Sequence, residues 1–299
     1  LREATINVVR NGLPTDEIAR LLPFNGTVPL PNRRCLRYGT HGIHEYRGKF
    51  FPQLVKALMN IADMPRKNGV VADPMCGSGT TLVEGVLAGH FSLGLDMNPL
   101  SAFMSRTKCA LLRTDPRELS RVYERVRKSL LSPEVSGRKQ ELRYLQSLPR
   151  ADQAYLRKWF AGQVLLDLDV VAQRISACDD GPIRDFMWIA LSNILRRESW
   201  QKEDDLRVRK EVRADVEIDP IKEFLEELGR SVRTVLAFLY QNEGAVIGSH
   251  DVKEGDARRI AEAWSKHLGK CDAVITSPPY ATALPYLDTD RLSLIYLGI

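Results

Sequence analysis

The sequence has no apolar run long enough to span a bilayer and no stretch that reads as a signal peptide. A membrane protein is thereby set aside, and a cytoplasmic one is expected. It has no internal repeat and no low-complexity tract. Its five cysteines, Cys35, Cys76, Cys109, Cys178 and Cys271, lack metal-ligand spacing. They read as reduced, buried thiols, and no metal site is expected. A strong charge of one sign is missing too: 43 Lys and Arg against 38 Asp and Glu leave a net charge of +5. Any polyanion must then be held by local patches and not by bulk charge. At 299 residues the chain can form one large domain or two smaller ones.

What the chain does have is a stiff segment, Cys271-Asp-Ala-Val-Ile-Thr-Ser-Pro-Pro-Tyr280. Ala273-Val-Ile275 reads as a short buried strand. Pro278 and Pro279 remove two backbone donors and fix φ, so the strand stops there. Open α/β sheets place ligands in loops at the carboxyl ends of strands. Here such a loop presents the Ser277 hydroxyl, carbonyls without competing donors, and the ring of Tyr280. That set suits a planar substrate bearing an amino group. Taken alone, Ser-Pro-Pro-Tyr is also an ordinary proline-rich turn.

A second motif lies far upstream. Gly69-Val-Val-Ala-Asp73 is another short apolar strand, running into Pro74-Met-Cys-Gly-Ser-Gly-Thr-Thr81 and a helical pattern at Leu82, Val83, Val86 and Leu87. Strand, glycine turn and helix make the opening of a nucleotide-binding βαβ unit. Gly77 and Gly79 permit positive φ, and the amides at the helix start favour an anionic group. Ser92-Leu-Gly-Leu95 then leads into Asp96-Met-Asn-Pro99. An acid ending the second strand is placed to hold ribose hydroxyls. Two competitors fail on chemistry. A phosphate-cradling P-loop needs a lysine after the glycine turn, where this chain has Thr80-Thr81. A dinucleotide fingerprint needs a third glycine, where this chain has Leu82.

Asp73-Pro-Met-Cys-Gly-Ser-Gly-Thr-Thr81, Gly94-Leu-Asp-Met-Asn-Pro99 and Thr276-Ser-Pro-Pro-Tyr280 resemble the motifs of DNA amino-methyltransferases. The resemblance covers roughly 38–103 and 245–299. It implies S-adenosylmethionine as cofactor, double-stranded DNA as partner, and transfer of a methyl group to the exocyclic amine of cytosine or adenine. Carried over residue by residue, it implies cofactor contacts from Asp73, Pro74, Cys76, Gly77, Gly79, Thr80, Thr81, Asp96 and Met97. Lys49-Phe-Phe-Pro52 resembles the family's segment around the methionine end of the cofactor, which implicates Lys49, Phe51 and Pro52. Gly255-Asp-Ala257 resembles its third-strand motif, which implicates Asp256 and Ala257 near the adenine. Bland readings stand beside these: Gly-Asp is a common turn pair, and Lys49–Pro52 also reads as a helix start with a core aromatic pair. Ser277, Pro278, Pro279 and Tyr280 are the implied catalytic residues. Methylation of a ring carbon is disfavoured, since that chemistry uses a cysteine within a Pro-Cys pair and the chain has none. In the resembled family a leading serine is commoner in cytosine N4 enzymes, so cytosine is favoured over adenine.

The implied fold is α/β: a Rossmann-like class I methyltransferase sheet, incomplete at its C-terminus, with a large helical insertion. The expected parts are an N-terminal extension at 1–37, the cofactor half at 38–103, a helical insertion at 104–244, and the third strand with the catalytic loop at 245–299. Thr15 is expected to cap a short helix. Leu1 in place of Met suggests a missing start. The end nineteen residues after Tyr280 suggests that a second chain or a further C-terminal segment completes the sheet. Within the insertion, Arg196, Arg197, Lys202, Arg207, Arg209 and Lys210 surround Trp200. They read either as a phosphate-contacting loop or, given Glu198, Glu203, Asp204 and Asp205, as a solvated helix end. Two rivals remain open: a non-catalytic binding or assembly subunit on the same fold, and an amino-methyltransferase acting on RNA or protein.

Overall fold

The computed structural model describes residues 13–29, 37–46, 48–49, 51–132, 141–202, 208–212, 218–279 and 286–299. The chain divides into two compact units, one of residues 1–116 with 233–281 and one of residues 117–232 with 282–299.

The first unit opens with a helical turn, α1 (Thr15–Leu21). Thr15 is its first helical residue and not its cap. Pro14 holds the capping position, with no side-chain capping bond, because its fixed φ already suits a helix entry. Helix α2 (Pro52–Ile61) also starts at a proline, where the missing N–H is no loss. A four-stranded parallel sheet follows in the order β3-β2-β1-β4. Its strands are β1 (Val70–Asp73), β2 (Phe91–Asp96), β3 (Ser249–Glu254) and β4 (Ala273–Val274). Helix α3 (Thr80–Leu87) links β1 to β2, and α4 (Pro99–Leu111) follows β2.

Parallel strands need crossovers that cover the sheet faces. Leu82, Val83 and Val86 of α3 form one core with Ala102 and Cys109 of α4, Val252 of β3 and Phe238. Ala72, Leu93 and Leu95 pack with Trp264 in another. Val71 and Ile275 join Val55 and Met59 of α2. The chain steps outward from β1 to β2 to β3, then returns to lay β4 on the other side of β1. The loops after β1 and β4 therefore diverge at a topological switch point, the ligand crevice of open α/β sheets. The α/β class and the parallel Rossmann-like sheet are as the sequence implies.

One strand departs from its sequence reading. Ala273-Val-Ile275 reads as a three-residue buried strand, yet β4 is two residues long and Val274 is 59% exposed. Only Ile275 is fully inside. An apolar triplet does not reveal which of its residues other elements cover, and among the described residues β4 pairs with β1 alone.

The second unit is helical: α5 (Pro116–Leu130), α6 (Arg143–Ser147), α7 (Arg150–Trp159), α8 (Gly162–Ser176), α9 (Pro182–Glu198), α10 (Pro220–Gln241), which continues into the first unit, and α11 (Tyr286–Leu297). Leu165, Leu168, Val171 and Ile175 are buried on α8, as their helical spacing predicts. Helix α6 is too short to persist alone. Buried Asp169 of α8 fastens it by accepting from the amides of Tyr144 and Leu145 at 3.2 and 2.6 Å.

Candidate active site

The glycine loop is held by side chains from three elements. Asp73 ends β1 and is buried; its carboxylate accepts from the Met75 amide at 3.1 Å, and the hydroxyls of Thr81 and Thr276 lie beside it. Burial pushes its carboxyl up to about 6, and these polar neighbours oppose the shift. Gly77 and Gly79 take φ of +48° and +78°, in the left-handed region that favours glycine. The Gly79 amide closes the turn on the Cys76 carbonyl at 2.7 Å. Asp96, at the end of β2, accepts from the Gly77 amide at 2.7 Å and from the Asn98 amide at 2.9 Å. Burial raises its carboxyl above the ordinary range, and those two amides pull it back. Thr80 and Thr81 are buried, Pro74 is half-buried, and Met97 is 65% exposed beside Asp96.

The Ser-Pro-Pro segment is mounted on the same elements. The Ile275 amide donates to Ala72 of β1 at 2.9 Å. Its carbonyl accepts the Thr81 hydroxyl at 3.1 Å. Ser277 is half-buried, and Pro278 and Pro279 are exposed. The sequence-predicted residue Tyr280 lies outside the described residues, as does Arg207.

The segment before α2 lies against this loop. The Tyr46 ring is so close to Gly77 that a Cβ there would meet its hydroxyl at 3.1 Å. Lys49 donates to the His41 carbonyl at 3.3 Å, and burial lowers its pKa. Pro52 is buried and Phe51 is 58% exposed. The segment is anchored by Glu84 of α3, whose side chain is fully buried. Glu84 accepts the Tyr38 hydroxyl, meets His41 Nε2 at 2.7 Å and pairs with Lys56 of α2 at 3.4 Å. Burial, more than Glu84 can offset, lowers the His41 pKa.

Asp256 behaves differently. The Gly255 amide donates to the Asp96 carbonyl at 2.9 Å, which places this turn beside β2. The Asp256 carboxylate is engaged by its own neighbour: Arg258 Nε donates to it at 2.8 Å and the Arg258 amide at 2.9 Å. Arg258 holds the carboxyl down at about 2. Ala257 starts the short helical turn that follows.

In the helical unit, the basic cluster is partly built. Gln201 and Lys210 form an antiparallel bridge, and Lys210 Nζ sits 4.4 Å from the centre of the Trp200 ring. Arg196 donates to the Lys202 carbonyl at 2.9 Å. Arg197 is drawn to Glu223 at 3.3 Å.

Sequence reasoning missed Tyr46, Glu84, Ser105 and Lys108, and took Thr276 only as the first residue of the Thr-Ser-Pro-Pro-Tyr motif. Each acts through a tertiary neighbour, and only the polar Glu84 inside the apolar run of α3 left a local trace. Among the described residues, no cluster of metal-ligating side chains occurs and no helix is long and apolar enough to cross a membrane.

A parallel sheet with a glycine loop after its first strand, an acid ending its second and a proline-stiffened loop after its fourth defines a Rossmann-like methyltransferase domain. A family model described as RMKL-like, methyltransferase domain, matches residues 44–122. The chain is 26% identical over 271 residues to the type II methyltransferase M.MvaI of Kocuria varians, covering 87% of this chain and 58% of that protein. It is 24% identical to M.MjaII of Methanocaldococcus jannaschii, covering 82% and 60%. It is also 24% identical to M.BsoBI of Geobacillus stearothermophilus, covering 90% and 56%. The chain thus spans somewhat under two thirds of the length of these curated relatives. No solved structure gives a significant match. Motifs, fold and relatives together support the DNA amino-methyltransferase family.

Proposed function

We propose that this chain is the cofactor-binding and catalytic part of a site-specific DNA methyltransferase. The reaction is transfer of a methyl group from S-adenosylmethionine to the exocyclic amine of a base, cytosine N4 ahead of adenine N6. The observation that carries the reading is that the loops after β1 and β4 flank one switch point and are bonded to each other through Thr81 and Ile275.

The residues present fit the cofactor. Asp96 gives each carboxylate oxygen to one amide, which leaves acceptor capacity for ribose hydroxyls. Exposed Met97 offers an apolar face for the adenine. Asp73 and Asp96 supply negative charge for a sulfonium. Asp256 reaches an adenine amine only by sharing oxygens now held by Arg258. Bound S-adenosylmethionine supplies an activated methyl group.

The chain's own residues prepare the amine. An exocyclic amine on an aromatic base is a poor nucleophile because its lone pair is delocalised. The Ser277 side chain and the Pro278 carbonyl accept its two N–H groups and favour a pyramidal nitrogen. The two prolines withdraw competing donors and stiffen the loop. Catalysis is then mainly positioning and local electrostatics, with no covalent enzyme intermediate. The base must leave the duplex to reach the loop, and Tyr280 stacks on it. Arg196, Lys202, Arg209 and Lys210 provide phosphate contacts, which position DNA without reading sequence.

Transfer of labelled methyl to DNA, RNA and protein tests this. Label is expected in duplex DNA, on cytosine N4 after digestion. Label confined to RNA or protein would overturn the reading. So would binding of both DNA and cofactor without transfer, which is the signature of a non-catalytic subunit.

A further inference from the structure

Helix α4 carries two buried polar side chains that the proposed chemistry leaves unused. Ser105 and Lys108 are 0% and 1% exposed. Three positions apart on a helix, they share a face. Ser105 Oγ donates to the Gly77 carbonyl at 2.8 Å, and Lys108 Nζ donates to the Ser78 carbonyl at 3.0 Å. The Cys76 carbonyl is already taken by the Gly79 amide. Three successive loop carbonyls therefore have donors within the protein. In a trans peptide the N–H points opposite to the C=O. Drawing in the Gly77 carbonyl turns the Ser78 amide the other way. The fit is tight: a Cβ on Gly79 would lie 2.7 Å from Ser105 Oγ.

Lys108 is costly to keep. Among the described residues no carboxylate pairs with it, and Glu84 is committed to Tyr38, His41 and Lys56. Burial, with Lys49 nearby, pushes its pKa down to about 7. A buried amine without a counter-charge destabilises a fold. A leucine or methionine would remove that charge but leave the Ser78 carbonyl without its donor.

We propose that Lys108, together with Ser105, is a positioning residue for the cofactor: the two hold the Gly77 and Ser78 carbonyls on the protein side of the loop, so that the Ser78 amide and not these oxygens faces the ligand. The proposal rests on the reading of 73–81 as the cofactor loop. Lys108 does not touch the ligand; it acts through the backbone.

The test is calorimetry with S-adenosylmethionine on the wild-type protein, Lys108→Met, Ser105→Ala and Asp96→Ala, with a melting curve of each ligand-free protein. Lys108→Met should bind roughly tenfold or more weakly, the scale of a lost hydrogen bond to a charged donor, and should raise KM for the cofactor more than it lowers kcat. Its ligand-free melting temperature should stay near that of the wild type, because removing an unpaired buried charge offsets the Ser78 carbonyl left without its donor. Ser105→Ala should lose affinity in the same direction. Wild-type affinity in both loop variants, with Asp96→Ala impaired, would overturn this proposal alone. A melting temperature that falls in step with affinity would also overturn it, as the mark of a merely structural lysine. No binding by the wild type would instead remove the cofactor reading on which the proposal rests.

Discussion

The hydroxyl of Thr81, at the start of α3, donates to the carbonyl of Ile275 at the end of β4, 194 residues further along the chain. One bond thus joins the loop read as cofactor-binding to the loop read as catalytic. Asp73 lies beside the hydroxyls of both Thr81 and Thr276 and makes the junction three-cornered.

Thr81→Val keeps the shape and removes the donor. It leaves a buried carbonyl unsatisfied, and should cost about 1–3 kcal/mol of stability. The proposed function adds that methyl transfer at saturating cofactor should fall by more than cofactor affinity does. Urea unfolding and single-turnover transfer measure the two. An unchanged unfolding midpoint would show that this bond carries no weight.

Asp73 sets a pH dependence. Its carboxyl is raised from the ordinary 3.8 to about 6, so the folded chain binds the proton more tightly than the unfolded one. The group therefore favours the fold below about pH 4, and that contribution is lost as pH rises towards about 6. Asp73→Asn removes the penalty and keeps an oxygen for the Met75 amide. Without ligand, the variant should gain up to ~3 kcal/mol over the wild type near pH 7.5, since one pKa unit is about 1.4 kcal/mol. Near pH 4 it should gain nothing. Denaturation at both pH values decides, and an equal difference at the two would show that another group titrates.

Ser277 and Tyr280 are proposed to act on the base. Tyr280→Ala should remove a stacking surface typically worth ~1–3 kcal/mol per base. Ser277→Ala should slow the chemical step, because its hydrogen bond matters most as the amine pyramidalises. Both should leave S-adenosylmethionine affinity near the wild-type value. Wild-type rates for both variants in single-turnover transfer to duplex DNA would exclude this loop as the catalytic one.

The basic cluster predicts a salt effect. Each phosphate contact contributes about −0.9 to the slope of log affinity against log salt. Replacing Arg209 and Lys210 together by alanine should therefore flatten that slope by roughly 2 units if both contact phosphates. Fluorescence anisotropy with labelled duplex across a salt series is the measurement. An unchanged slope would return these residues to a solvated face, as the pairing of Arg197 with Glu223 already does for that arginine.

What the sequence made legible was local chemistry. Gly77 and Gly79 announce a turn with positive φ, and the structure has both. Pro52 sits at a helix start for the same local reason. What stayed hidden depended on partners distant in sequence. Ser105 and Lys108 read as ordinary helix positions until Gly77 and Ser78 stand opposite them. Tyr46 is one aromatic among many until its ring meets Gly77. Asp256 illustrates the reverse: its motif was visible, but its present partner, Arg258, is set by side-chain geometry.

The bond from the Gly77 amide to Asp96 also bears on modularity. The loop after β1 and the acid ending β2 look like separable cassettes in a linear sequence. A hydrogen bond joins them, so neither can be transplanted alone. A chimaera that takes residues 73–81 from another enzyme must inherit that donor's acid at position 96, with the turn behind it, or the grafted loop loses the fastening that sets its path.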